Sequence, residues 1–376
     1  MNRFHGKLAL QQRVLPNYRA PFFDLLASVC EGGLSLFTGL PRPSEGITTT
    51  DELQFANYWL GKNIHLFSGA LYLCYQRGLI DWLENWNPDA LIVEANPRYL
   101  STPSAVQWMQ RRGRPVIGWG LGSPSLGPPH FQRKWRGSKG GVGFRNQRRL
   151  SFISQFDAMI AYSQRGADEY AALGFPREKI FVAHNSVSAP PASAPDRRLK
   201  TIDRFTILFV GRLQARKRID SLLRACAQLE SNPRLVIVGD GPERGSLESL
   251  AREIYPSAEF IGAKHAAELE PYFTEADLFV LPGTGGLAVQ EAMSYGLPVI
   301  VAQGDGTQAD LVRKENGWQI PPDHFEALLA TMKDALSDVA RLRKMGEESY
   351  RIVKEEINIE KMAETFVRAL NMLSGK

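Results

Sequence analysis

The stretch TILFVGRLQARK, residues 206–217, decides the fold. A short apolar run closes on a glycine and a cluster of cations, after which Ile219, Leu222, Leu223, Cys226 and Leu229 keep a helical period. Runs of the same kind recur at residues 235–238 (LVIV), 278–281 (LFVL) and 299–301 (VIV), and continuous apolar runs of this length read as parallel strands buried on both faces. Leu247, Leu250, Ala251 and Ile254 keep a second helical period between two of them. Strand alternates with helix, which predicts a doubly wound α/β domain.

Upstream the same grammar is weaker. Strand-like runs fall at 8–10, 34–37, 90–93, 116–117, 158–161 and 180–183. Between the two halves lies SAPPASAPDRRLKTID (188–203), rich in Pro, Ala and charge and without an apolar period, the composition of a linker. At about 100–200 residues per domain, 376 residues predict two domains. We therefore expect a domain over 1–188, a linker over 189–203 and a second domain over 204–350. Residues 351–376 should form a C-terminal helix packed on the body and able to cross back to the first domain, since Ile357, Met362, Phe366, Leu370 and Leu373 lie near one stripe. Two Rossmann-like domains joined in this way are expected to face a central cleft at the carboxyl ends of their strands, where such sheets bind ligands.

Three loops of the second half carry the chemistry. In Gly211-Arg212-Leu213-Gln214-Ala215-Arg216-Lys217, a strand-to-helix loop offers backbone N–H groups and cations, and Arg212 and Lys217 suit a pyrophosphate; a solvated surface loop is the competing reading. Gly239-Asp240-Gly241-Pro242 is read as a tight turn, because Pro242 and the distance to Gly245 break the dinucleotide fingerprint. In Pro282-Gly283-Thr284-Gly285-Gly286-Leu287, the glycines let amides face a phosphate or a sugar hydroxyl. Glu291, just beyond, can accept two hydrogen bonds from a ribose diol, or be an ordinary exposed helix glutamate.

VGRLQARKRID, IVGDGP, FIG, ADLFVLPG, GLAVQEAMSYGLPVI and NGW, in this order, resemble the C-terminal donor-nucleotide domain of the retaining GT-B glycosyltransferases of the glycosyltransferase 4 family, the group 1 glycosyltransferases. The match runs from Phe205 to about Trp318, while the first half matches only in pattern, as in AYSQRGADEYAALGFPREKIFVAHNSVS. The resemblance implies a GT-B fold, with an acceptor-binding N-terminal domain and a C-terminal domain that binds a nucleotide-diphosphate sugar of the UDP or GDP type. It assigns Arg212 and Lys217 to the donor diphosphate as catalytic electrostatic groups and Glu291 to the ribose. Gly285, Gly286 and Leu287 would offer amides to the sugar or the distal phosphate, and Gly211, Gly283 and Thr284 complete the nucleotide loops. There are two departures. Gly283 stands where the family has the first of two glutamates, and the family's N-domain histidine is replaced within Gly118-Trp119-Gly120, leaving His130 as the substitute catalytic candidate.

The implied activity is transfer of a hexosyl or related sugar, with retention, to a glycan or lipid-linked acceptor in cell-surface polysaccharide or glycolipid synthesis. In that family the leaving phosphate takes the acceptor proton, so no protein nucleophile is required. No tightly bound cofactor and no metal are expected, since two cations can neutralise the diphosphate and the sequence has no DxD triplet. The two departures motivate an alternative, a non-catalytic GT-B protein that binds nucleotide or a partner.

Charge adds a further expectation. The net charge of +5 means little, but between Ala95 and Phe156 there is no Asp or Glu, while eleven Lys and Arg fall there. The loop 120–150, where Arg133, Lys134 and Arg136 alternate with Phe131, Trp135 and Phe144, would face the cleft or an anionic membrane surface. Nucleic-acid binding would rest on this stretch alone; its Gly and Pro are unlike a nucleic-acid module, so no nucleic-acid partner is expected. Cys30, Cys74 and Cys226 are far apart and form no zinc spacing, and no stretch approaches the roughly 20 apolar residues of a membrane span. We expect a cytoplasmic protein, with peripheral attachment to the inner face of the membrane through 120–150.

Overall fold

The computed structural model describes residues 1–122, 147–193 and 204–375. The chain forms two compact units, one made of Met1–Asn185 with Ile359–Lys376 and the other of Ser186–Asn358. Of the expected linker, residues 194–203 lie outside the described residues. The chain therefore enters the second unit once and leaves it again.

In the first unit the strands are β1 (Leu8–Gln11), β2 (Leu34–Thr38), β3 (Asn57–Leu60), β4 (Lys62–Leu66), β5 (Leu73–Arg77), β6 (Ala90–Glu94), β7 (Val116–Gly120), β8 (Ala158–Ala161) and β9 (Ile180–Val182). Seven make a parallel sheet in the order β3-β2-β1-β6-β7-β8-β9, and β4 and β5 form a separate antiparallel hairpin. The winding reverses between β1 and β6. One face packs on Leu79, Trp82, Val106 and Met109, the other on Phe22, Phe23 and the final helix Ile359–Leu373. Phe366 of that helix lies 5.0 Å from the ring of Trp119 and 5.1 Å from that of Phe22.

In the second unit β10 (Thr206–Val210), β11 (Arg234–Val238), β12 (Glu259–Gly262), β13 (Leu278–Leu281), β14 (Val299–Ala302) and β15 (Gly317–Ile320) are parallel, in the order β12-β11-β10-β13-β14-β15. The winding reverses between β10 and β13, the doubly wound Rossmann arrangement. Both units share one device at the amino edge of the sheet. The aspartate preceding a strand accepts the N–H at the start of its neighbour: Asp277 from Thr206 at 2.8 Å, Asp157 from Val116 at 2.8 Å and Asp89 from Lys7 at 2.7 Å. These bonds pair N–H groups that no ladder reaches.

The stretch 351–376 holds the end of the helix Val339–Glu355 and then the separate helix Ile359–Leu373. The break lies at Asn358, whose side-chain amide donates to the carbonyls of Val353 and Lys354 and so caps the first helix. Among the described residues no helix is long and apolar enough to cross a membrane.

Candidate functional site

In the second unit, the loops leaving β10 and β13 meet at the point where the sheet reverses its winding. The first loop runs from Gly211 to Lys217 and the second from Pro282 to Leu287, which leads into the helix Ala288–Ser294. Their backbones touch. The Thr284 N–H donates to the Arg216 carbonyl at 3.1 Å, and a Cβ on Gly283 would lie 2.2 Å from that same oxygen. Position 283 therefore has no room for the side chain that the family resemblance would put there, because the first loop occupies the space.

GDGP supports this arrangement from below. A Cβ on Gly239 would lie 2.0 Å from the Gly211 carbonyl oxygen, and one on Gly241 would lie 2.3 Å from that of Leu213. The turn is a bed for the Gly211 loop, and its glycines serve that close approach. NGW is likewise structural: Asn316 is buried and donates to the Leu311 carbonyl, and a Cβ on Gly317 would strike the Val299 carbonyl at 2.2 Å.

The electrostatics of the site follow from burial. Lys217 is only 7% exposed, and its ammonium donates to the Thr284 carbonyl at 2.9 Å. Burial, and then the neighbouring Arg216, push its pKa down to about 8, so near neutrality the group is an ammonium paired with no carboxylate among the described residues. Gly285 has φ 74°, and a Cβ there would lie 3.5 Å from Arg216 Nη1 and 3.6 Å from Lys217 Nζ. Both cations thus border the bare backbone of the second loop. Arg212 is exposed on the first loop. Glu291 is half-buried in the helix that follows, and burial alone pushes its carboxyl up. The site joins cations, a glycine-lined backbone and one desolvated carboxyl, a combination suited to a dianion attached to a polyol.

All the residues singled out in the second half, Gly211, Arg212, Lys217, Gly283, Thr284, Gly285, Gly286, Leu287 and Glu291, lie on these two loops and the helix they enter. Arg216 was not distinguished from its neighbours in the sequence. Its place beside Gly285 depends on the backbone turn at that glycine, which residue spacing does not reveal.

In the first unit Gly118-Trp119-Gly120, where the family histidine is replaced, is part of the core. Trp119 is 1% exposed and packs on Phe22, Phe23 and Phe366, while side chains on the two flanking glycines would strike Phe156 and the Tyr170 hydroxyl. The segment contributes core, and its one polar side-chain group, the Trp119 indole N–H, is buried. His130 and most of the loop 120–150 lie outside the described residues. Upstream in the acid-free stretch, Arg112 stacks 3.7 Å over Trp108, and Arg114 donates to Asn87 and to the Pro88 carbonyl, so both have structural contacts.

A second polar cluster, missed in the sequence, stands where the first sheet reverses, between β1 and β6. One carboxylate oxygen of Glu94 accepts the Arg13 N–H, and the Arg13 side chain donates to Glu45 at 2.9 Å. Burial pushes the Glu94 carboxyl up to about 7. Its signal was the sole acid ending an otherwise apolar strand, ALIVE.

Residues 194–352 match the family described as glycosyl transferases group 1. A lipopolysaccharide core biosynthesis glycosyltransferase of Rhizobium meliloti is 25% identical over 301 residues, covering 77% of this chain and 87% of that protein. A GDP-mannose-dependent alpha-mannosyltransferase of Mycobacterium tuberculosis is 33% identical over 190 residues, 49% of this chain and 47% of its own. This chain thus spans about half of the mycobacterial protein. Among solved structures, HepE of Anabaena in complex with UDP superposes with a TM-score of 0.70 at 16% identity, covering 99% of this chain and 100% of that one. At that identity the likeness concerns the fold, two Rossmann-like domains of the GT-B type.

Proposed function

We propose that this chain, whose residues 194–352 match the group 1 glycosyl transferases, moves a sugar, with retention, from a UDP or GDP sugar to a glycan or lipid-linked acceptor. The observation that carries this reading is the buried Lys217 ammonium set beside Arg216 and the bare backbone of Gly285, paired with no carboxylate among the described residues. A nucleoside diphosphate supplies the missing negative charge. Arg212 and Lys217 hold the departing diphosphate, and Glu291 accepts the ribose hydroxyls. The UDP of the Anabaena structure and the GDP-mannose of the mycobacterial enzyme name the two donor classes to try first.

Charge stabilisation at the leaving group is the main protein contribution. Cations prearranged in a site of restricted water stabilise the diphosphate as negative charge develops on it, and no reorganisation is needed at that moment. Position 283 has no room for a carboxylate, and in the mechanism that the family resemblance implies the leaving phosphate takes the acceptor proton on the same face. In the first unit Glu94, with one oxygen already held by the Arg13 N–H, orients an acceptor hydroxyl.

Thermal melting with UDP, GDP and ADP tests the donor site, because a ligand at about 100 times its Kd adds about 2.7 kcal/mol. Incubation with the matching nucleotide sugar and a glycan acceptor, followed by detection of the new glycosidic bond, tests transfer. Binding without turnover on a broad acceptor panel would favour a non-catalytic nucleotide-binding protein, a reading to which Gly283 lends its support.

A further inference from the structure

The hairpin β4–β5 is built inside out. Its inward face is polar and hydrogen-bonded to the body: Asn63 donates to the carbonyls of Arg13 at 2.7 Å and Leu40 at 3.0 Å, and Gln76 donates to the Gln12 carbonyl at 3.1 Å and to Asn63 at 3.0 Å. His65 meets the Tyr72 hydroxyl at 2.9 Å. The base is locked by two glycines, since a Cβ on Gly61 would enter the ring of Phe37 at 2.1 Å and one on Gly39 would strike Asn63 at 2.4 Å.

The outward face is apolar, and it is graded. Cross-strand partners are Lys62 with Arg77 at the base, then Ile64 with Tyr75, then Leu66 with Leu73. Beyond them the connecting turn displays Phe67, 69% exposed, and Leu71, 73% exposed. Phe67 is held at φ 61°, a left-handed conformation that costs a bulky side chain energy, and its ring nevertheless points into water. Burying polar groups while exposing large apolar ones reverses the usual economy of a soluble surface. At the base, two cations face each other directly, a placement that destabilises a strand pair, and among the described residues neither is paired with a carboxylate.

We propose that this hairpin is a membrane-docking wedge. Phe67 and Leu71 enter the acyl boundary of an anionic bilayer, Tyr75 sits at the interface, and Lys62 and Arg77 take lipid phosphates at headgroup level. The charge grading decides the occupant. A protein partner would have to cover an apolar tip and, about 15 Å away along the five-residue strand pair, two adjacent cations, whereas a bilayer presents apolar and anionic layers at that separation everywhere. Amphipathic aromatic groups settle at that boundary, and cations beside it gain from the surface potential. The proposal does not depend on the donor-site reading, and it assigns attachment to a surface other than the loop 120–150.

The test uses the whole chain with vesicles of phosphatidylcholine alone and of equal parts phosphatidylcholine and phosphatidylglycerol. The unaltered protein is expected to co-sediment with the mixed vesicles at low salt. Changing both Lys62 and Arg77 to Ser is expected to lower the partition coefficient about 30-fold, and changing both Phe67 and Leu71 to Ser to lower it about tenfold or more. A Phe67→Trp variant should gain emission that chain-brominated lipid quenches, which a merely electrostatic contact would not produce. Nucleoside-diphosphate binding should be the same in all these variants and none should melt lower than the unaltered protein, so failure of the wedge and failure of the donor site are distinguishable. Equal sedimentation of all variants, absence of binding by the unaltered chain, or emission of the Phe67→Trp variant untouched by brominated lipid would overturn the proposal. So would a dimer in solution that dissociates when the tip is changed, because the apolar face would then belong to a second copy.

Discussion

Lys217 and Thr284 are joined, ammonium to carbonyl, at 2.9 Å across two loops that leave different strands. The bond fixes the spacing of the loops and takes one of three ammonium hydrogens, leaving the cation donors for a ligand.

Replacing Lys217 by Ala is expected to weaken UDP or GDP binding by about 10- to 150-fold, the worth of a charge-assisted contact of about 1.5–3 kcal/mol. Arg212→Ala should fall in the same range. The pH dependence separates charge from shape. With its ammonium held at about 8, Lys217 is charged below that pH and progressively neutral above it, so affinity should fall as pH rises through 8. Stability of the empty protein should move the other way. Above about 8 the folded chain sheds a proton that the unfolded chain keeps up to its ordinary 10.5, so stability rises with pH in that window. Lys217→Arg, which stays charged, should abolish the fall in affinity. Titration calorimetry across this range, set against urea melts, gives both slopes.

Glu291→Gln should bind nucleotide less tightly and yet melt at a higher temperature. Burial raises the Glu291 carboxyl above its unfolded value, so its contribution to stability is present at low pH and is lost as pH rises through the folded value. An amide carries no such penalty, but it surrenders one acceptor oxygen for the ribose diol. Comparing a nucleoside diphosphate with its 2′,3′-dideoxy analogue completes the check: the natural ligand should be preferred by the unaltered protein and should lose that preference in the variant.

Gly283→Ala should cost about 1–3 kcal/mol by overpacking against the Arg216 carbonyl, and it should lower nucleotide affinity as the loops are pushed apart. Gly283→Glu should fare worse, with no gain in turnover. Urea midpoints read the first effect and nucleotide titration the second. A stable, faster Gly283→Glu enzyme would show that the loop yields to a side chain.

If Glu94 orients the acceptor hydroxyl as a carboxylate, transfer should rise with pH to a plateau, with a midpoint near the value of about 7 that burial gives this group. Glu94→Gln should be slower and should lose that limb, while donor affinity stays unchanged. A limb that survives the substitution belongs to another group.

The parallel strands were legible because continuous apolar runs mean burial on both faces. LFVL at β13 and TILFV at β10 match the strands to the residue, and AMIA at β8 does so in the first unit. The hairpin was not legible, and the reason is physical. Sequence patterns assume that apolar residues face inward, whereas in β4 and β5 Asn63 and Gln76 face the body and Ile64 and Tyr75 face out. The break at Asn358 was hidden because Ile357 and Ile359 are both buried and the apolar stripe runs through it. At the site, residue types identified the cations and Glu291. The contact between Gly283 and Arg216 was beyond sequence reasoning, because it joins loops whose meeting depends on strand order.

The return of the chain to the first unit sets an order of events during synthesis. Residues 186–358 carry their own core and can fold as soon as they are made. The first unit, although it begins at residue 1, lacks one wall until the helix Ile359–Leu373 appears and Phe366 closes over Trp119 and Phe22. Until then one apolar face of its sheet stays open. A nascent chain would therefore hold a finished second unit and an unfinished first one, and a stop codon just after residue 358 would leave the first unit as a client for chaperones.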